Sequence, residues 1–256
     1  MLSSIFNTIL YRPLFNFFVE LYNILPGHDV GLVIVVITVL LRLVVYPLTS
    51  SSIKGQRALQ SLQPKLEALK KQYANDQQKM AQATMELYRE SKVNPLSSCL
   101  PLLIQLPVLL ALYWVMSDVL AGNNLSAQLY PFVTNPGTIN PLTFGYLNLL
   151  EPSIALAVLA GVAQFVQAKT LSRQLPPANA GAGAKDESMA AMMNKQMLYM
   201  MPIMTTLIGW RLPAGLTLYW FWSTILMAAQ QYYMSYQDKK NKNNDQQPIV
   251  GEVIKK

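Results

Sequence analysis

The stretch ITVLLRLVVYPLT, residues 37–49, is apolar at almost every position, yet it contains Arg42. A guanidinium stays protonated at any physiological pH, so this run encloses a permanent cation. Extended back to residue 30, the run is long enough to cross a membrane, since a bilayer core of about 30 Å takes about 20 apolar residues as helix. Composition points the same way. Of 256 residues, 52% are hydrophobic and 13% are charged, whereas soluble domains carry about a quarter charged residues. An all-α membrane protein is expected.

Further apolar stretches cover 96–120, 152–168 (or from an earlier start near Leu142), 197–212 and 215–234. The last two, taken together as 197–234, are separated only by PAG at 213–215, which predicts a tight helical hairpin. Charge sets the orientation. Between the first and second stretches lie eight cations, Lys54, Arg57, Lys65, Lys70, Lys71, Lys79, Arg89 and Lys92. Residues 169–196 hold four, the tail 235–256 holds five, and 121–151 holds none. The positive-inside rule makes 121–151 an external loop and the other three regions cytoplasmic. Five transmembrane helices, N-terminus out and C-terminus in, satisfy this.

Residues 1–29 show a helical stripe of apolar side chains with Asn7, Arg12, Asn16, Glu20 and Asn23 on its back. That pattern suits an amphipathic helix lying in the membrane interface, broken or bent at Pro13. A signal peptide is the alternative, but it lacks the early charge, clean apolar centre and small-residue cleavage site. In the cytoplasmic segment 50–95, Leu59, Leu62, Leu66 and Leu69 repeat at helical spacing. YANDQQ interrupts, and Met80, Ala83 or Thr84, and Leu87 resume. Two amphipathic helices with a turn near Asn75 and Asp76 follow. The pair is either a solvated connector or a basic arm for lipid, substrate or ribosome. PPANAGAGA, 176–184, is a low-complexity linker. Met189, Met192, Met193, Met197, Met200, Met201 and Met204 then form either apolar filler or a plastic surface for varied partner helices.

Arg42 lies about 10 Å from the inner end of a helix ending at Thr49. A charge this deep costs about 2.5–3.5 kcal/mol on insertion scales. Either the side chain snorkels to the interface, or it faces a wet cavity open to the cytoplasm. Thr38 and Tyr46, one turn away on either side, favour the cavity, and Gln105, Ser117, Gln164 and Gln167 interrupt other apolar runs. No catalytic set emerges. His28 is the lone histidine and Cys99 the lone cysteine, so neither a Cys/His metal cluster nor an internal disulfide can form. No phosphate-binding glycine loop is present. Neither an enzyme nor a cofactor is expected.

LLRLVVYPLT (40–49), LQPKLEALKKQY (62–73), ELYRESKVNPLSSCLPLLIQLPVLLALYWVM (86–116) and LPAGLTLYWFWSTILMAAQQYYM (212–234) together resemble the YidC/Oxa/Alb membrane protein insertases. The resemblance runs from about residue 30 to 236 in conserved order and spacing of its blocks. It does not take in the large periplasmic domain of many Gram-negative relatives or the lipoprotein cysteine of many Gram-positive ones. It implies a five-span core around a hydrophilic groove, open to cytoplasm and lipid and closed outside. Arg42 then matches the groove arginine. Thr38 and Trp220, with neighbouring Tyr219, fall on the groove or its client-contacting wall, and Gln105 and Gln167 become groove polars. The hairpin cations Lys54, Arg57, Lys65, Lys70 and Lys71 become contacts at the groove mouth. The implied role is insertion and folding of membrane proteins in the bacterial cytoplasmic (inner) membrane. Nascent membrane proteins and the lipid bilayer would be its partners, with the ribosome and Sec translocon in addition, and no nucleic-acid specificity. A small-anion transporter using Arg42, or a structural translocase subunit, are the alternatives. Transporters usually carry internal repeats with broken helices, and none is evident.

Overall fold

The computed structural model describes residues 2–74, 76–94, 100–120, 122, 125–172 and 196–245. Asn75, Cys99, the linker 176–184, Met189, Met192, Met193 and the tail beyond 245 lie outside the described residues.

The chain begins with helix α1 (Leu2–Phe6), a π-helical turn (Asn7–Tyr11) and helix α2 (Arg12–Ile24) in direct succession. The break expected at Pro13 does not occur. The widened turn immediately before the proline absorbs its missing amide donor. The polar back of this segment is also not simply solvated. Asn16 is buried, donating to the carbonyls of Arg12 (2.8 Å) and Gln128 (3.0 Å) and accepting from the Tyr130 amide (2.6 Å). Asn23 donates to the Thr134 carbonyl at 2.7 Å. The apolar face buries Phe15, Phe18 and Val19 completely. The helix therefore covers the bundle core with one face and ties down residues 128–134 with the other.

Gly27, at φ +81°, turns the chain into α3 (Val30–Val44). One helix is expected over 30–49, but the structure breaks it at Val45. Helix α4 (Tyr46–Ser61) departs at 65° and runs on past residue 50 into the polar segment. Pro47 is the cause, since its ring clashes with the carbonyl four residues back and it has no amide to donate there. Helices α5 (Gln63–Gln72) and α6 (Gln77–Glu90) form the hairpin, and neither contains a buried residue. The Asp76 carboxylate caps α6 by accepting from the Lys79 amide at 3.0 Å.

Helix α7 (Leu100–Leu120) continues through Pro107. After the short α8 (Leu125–Gln128) comes a hairpin of two two-residue strands, β1 (Leu142–Thr143) and β2 (Leu147–Asn148). The earlier start near Leu142 for the third apolar helix is thereby excluded, and α9 spans Ile154–Ser172. A π-helical turn (Gln196–Met200), α10 (Met201–Gly209) and α11 (Ala214–Asp245) complete the chain. Helix α11 carries well past residue 234, so the region expected as a basic tail begins as helix.

Small residues let these helices touch. A Cβ on Gly161 of α9 would lie 2.0 Å from Thr206 Oγ1 of α10, and one on Gly209 would meet Ala157 at 3.4 Å. Close backbone approach of this kind is how helices associate where surrounding hydrocarbon offers no hydrophobic drive. Outward-facing Leu103, Leu106, Leu110, Val158, Val162, Val166, Ile203 and Leu207 are exposed, an apolar surface suited to hydrocarbon. Among the described residues, Leu103–Leu120 is by itself long and apolar enough to cross a membrane, and the bent pair α3–α4 qualifies as one broken span. Ile154–Thr170 and Leu198–Gly209 are shorter apolar helices. Tyrosines, tryptophans and glutamines dilute the hydropathy of α11.

The loop before α9 caps the ends of two helices. Asp29 accepts from Thr143 Oγ1, from the Phe144 amide (2.8 Å) and from the Leu32 amide (3.0 Å), so one carboxylate caps α3 and fastens the strand turn. Gly31 admits Thr143, whose Oγ1 would lie 2.1 Å from a Cβ there. At the start of α11, the Ala214 and Gly215 amides donate to the carbonyls of Glu151 (2.9 Å) and Leu149 (3.1 Å).

Burial pushes the Asp29 carboxyl upward, but its hydrogen bonds from Thr143 and the backbone outweigh that and hold it below the usual carboxylate range. Its stabilisation is therefore complete above the unfolded value of about 3.9 and is lost as pH falls through the folded one. Acid titration of the melting temperature in detergent should fall more steeply for the native chain than for Asp29→Ala. At neutral pH the variant should be less stable by about 0.5–2 kcal/mol, the weight of a helix cap. Gly161→Ala should lower stability by about 1–3 kcal/mol through overpacking, measured by the same melt; an unchanged midpoint would mean that α9 and α10 can separate freely.

Candidate functional site

The site grows from three side chains that join α3 and α4 to α11. Arg42 Nε donates to Ser223 Oγ at 3.1 Å, and Nη2 donates to the same oxygen. One turn past the bend, Thr49 and Gln230 hydrogen-bond through their side chains at 3.0–3.1 Å. The Gln230 amide also reaches Ser50 Oγ at 2.9 Å and the Tyr46 carbonyl at 3.3 Å. Farther along, Arg57 donates to the Gln231 carbonyl (3.0 Å) and Ser235 Oγ (2.8 Å) and pairs with Asp238. The partners Arg42–Ser223, Thr49–Gln230 and Arg57–Asp238 are each 181 residues apart. A constant offset means that the two strands of the seam run parallel, with steps of about two helical turns.

Helical spacing makes this possible. Residues 219, 223, 226, 230 and 233 recur every three or four positions and share one face of α11. Tyr219, buried on that face, accepts from Gln105 Nε2 of α7 at 2.7 Å through its hydroxyl. Gln105, Tyr219, Ser223 and Arg42 thus form a short polar run across three helices.

Beside the seam opens a cleft of about 320 Å³ lined by Val39, Arg42, Leu43, Tyr46, Leu226, Ala229, Gln230 and Tyr233. Its walls are largely aliphatic and tyrosyl, with the Arg42 and Gln230 side chains as the polar groups. The ion pairs found among the described residues are Arg57–Asp238 and Lys79–Asp76, so Arg42 is answered there by a hydroxyl rather than a carboxylate. Asp118 is engaged elsewhere, accepting from the Tyr11 hydroxyl at 2.5 Å.

The other predicted site residues divide. Thr38 is fully buried and donates its hydroxyl to the Ile34 carbonyl at 2.6 Å, so its proton is spent on its own helix. Gln167 of α9 donates to Met227 Sδ at 3.1 Å. Met227 is one turn beyond Ser223 and two turns beyond half-buried Trp220, so Gln167 and Trp220 border the Arg42 face of α11 on its α9 side. Of the hairpin cations, Lys54, Lys65 and Lys71 are exposed and Lys70 is half-buried, and Arg57 is a half-buried clamp within the seam. Ser223, Gln230, Gln231 and Thr49 are seam residues that sequence reasoning passed over. Their signal was the recurrence of small and amide polars at helical spacing through an apolar run.

Among the described residues no group of His, Cys, Asp and Glu could hold a metal ion. The arrangement sets polar groups next to an apolar surface, and among the described residues lining the cleft no nucleophile is placed beside a base.

Comparison with known proteins fits this geometry. A family model described as 60Kd inner membrane protein matches residues 21–242. A membrane protein insertase YidC from Fusobacterium nucleatum is 35% identical over 228 residues, covering 88% of this chain and 96% of that protein. Proteins of the same name from Methylobacillus flagellatus and Legionella pneumophila are 32% and 35% identical, each over 89% of this chain. The chain spans 36% of the length of those two. With the match running through α3, the bend, α7 and the whole seam face of α11, the chain belongs to the 60Kd inner membrane protein family.

Proposed function

We propose that the chain is a membrane protein insertase and folding chaperone. It would take the short polar tail of a client into the cleft beside Arg42 and release the client's helix sideways into lipid. The observation that carries this is Arg42 itself, a half-buried cation on an open, apolar-walled cleft, held by the Ser223 hydroxyl and paired with no carboxylate among the described residues. A guanidinium bonded to a neutral partner keeps its full charge for an incoming acidic or carbonyl-rich segment, and the attraction is strong where water is scarce. Transfer of this kind lowers the barrier to moving polar groups through hydrocarbon and needs no covalent step.

Five spans with the N-terminus outside and the C-terminus inside accommodate the structure. The parallel seam supports the odd span number, because helices one and five must then run in the same direction. The cation-free loop 121–151, tied to the starts of α3 and α11, suits an outer closure. The hairpin α5–α6, with no buried residue and exposed Lys65 and Lys71, suits a mobile arm at the inner mouth that meets clients, the ribosome or the Sec translocon.

Reconstitution in lipid vesicles with one single-span client tests this. Arg42→Ala should abolish most insertion of an acidic-tailed client, while Arg42→Lys keeps the charge, loses the planar fork and retains much of it. Full insertion by a folded Arg42→Ala protein would rule out an essential role for the cation. Photo-crosslinkers at 39, 43, 46 and 229, which line the cleft, should label a stalled client more strongly than one at buried 219. Equal or reversed labelling would place the client route elsewhere.

A further inference from the structure

Helix α11 runs from Ala214 to Asp245, about 48 Å at 1.5 Å per residue, so it outlasts a hydrocarbon core of about 30 Å. Where it should leave that core it carries three exposed aromatics. Tyr232, Tyr233 and Tyr236 are 68%, 52% and 61% exposed, and they lie about 27–33 Å along the helix. Trp210, half exposed, stands just before the helix at the other end. Two aromatic levels one bilayer apart are the pattern of interfacial belts.

Cations adjoin the inner belt. Lys240 is exposed and follows Tyr233 and Tyr236 at helical spacing, with Lys239 next to it in sequence. Lys54 is exposed on α4, and the seam's offset of 181 sets it level with Ser235. The nearby acid, Asp238, is exposed and pairs with Arg57 of the seam. This level therefore shows tyrosines and ammonium groups together, with its exposed carboxylate paired to a guanidinium.

We infer that Tyr232, Tyr233, Tyr236, Lys54 and Lys240 form a seat for anionic phospholipid headgroups of the cytoplasmic leaflet, which fixes the depth of α11 and of the seam it carries. Tyrosine rings sit at headgroup level, half in hydrocarbon and half in water, and ammonium groups within about one Debye length, ~10 Å, of that level feel the surface potential of an anionic leaflet. A ribosomal RNA contact would need cations reaching beyond the headgroups, whereas Lys54 and Lys240 flank the aromatic level itself. The inference rests on the proposed orientation, in which the end of α11 faces the cytoplasm.

The test uses the full chain purified in detergent and offered labelled phosphatidylglycerol or phosphatidylcholine. The native chain should retain phosphatidylglycerol preferentially. Replacing Lys54 and Lys240 by glutamine should reduce the preference by about fivefold per lysine, with an unchanged melting temperature. Replacement by arginine should preserve it. If the double glutamine variant does not fold, Lys240→Gln alone, at an exposed position, gives the same reading. No preference in the native chain, or an undiminished one in the variants, overturns the seat. Loss of ribosome co-sedimentation with lipid preference intact overturns it in favour of RNA. Orientation is read separately, by labelling Asn244→Cys on a Cys99→Ser background with an impermeant maleimide. Labelling from the external side overturns the leaflet assignment even where lipid preference survives.

Discussion

A cation inside an apolar helix must be answered by neighbouring dipoles, and here the answer comes from the parallel register of α3 and α4 on α11. Arg42, Thr49 and Arg57 each find a partner 181 residues on. Buried polar groups are costly unless paired, so every rung fixes the register of the next. A slip of one residue would rotate each helix by about 100° and strand all three. The cleft exists because the same register leaves Leu43, Tyr46, Ala229 and Tyr233 on the open side of the seam.

Stability is distributed unevenly along this frame. At one end, Asp29, Gly31, Leu149 and Glu151 lock the loop before α9 onto the starts of α3 and α11, and Asn16 and Asn23 lock residues 128–134 onto α2. At the other end, the hairpin α5–α6 has no buried residue and depends on its own half-buried seam. Elements with few buried contacts open at low free energy. Opening is therefore expected to cost least at the hairpin end, where no helix residue is buried, and most at the end held by Asp29 and Asn16.

Much of this was legible in the sequence. The apolar runs found the helices, and the arginine that stood out in the first of them lines a cleft. The bend was written at Pro47, but a long apolar run made a straight helix look sufficient. The N-terminal stripe disclosed an amphipathic helix, but not that its polar side binds another part of the chain, because Asn16 meets residues 128 and 130 through a contact more than a hundred positions distant. Ser223 and Gln230 were visible as a periodic pattern and lost among the aromatics around them. No local pattern could reveal that Thr38 bonds to its own helix, or that Gln167 of α9 reaches Met227 of α11.

The bend at Val45 has an electrostatic consequence. In an unbroken helix over residues 30–49, Arg42 would stand amid satisfied peptide groups whose dipoles cancel along the axis. Broken at Val45, α3 ends at Val44, and Arg42 falls in its last turn. The partial negative charge of a helix C-terminus then lies within a turn of Arg42, opposed in part by the positive start of α4 at Tyr46, so the interaction is at most about 0.3–1 kcal/mol. Set against an insertion cost of about 2.5–3.5 kcal/mol, this offsets a minor fraction. Pro47 thus does more than redirect the chain; by ending one macrodipole early, it brings a counter-charge to Arg42 that carries no proton-binding group and cannot be titrated away.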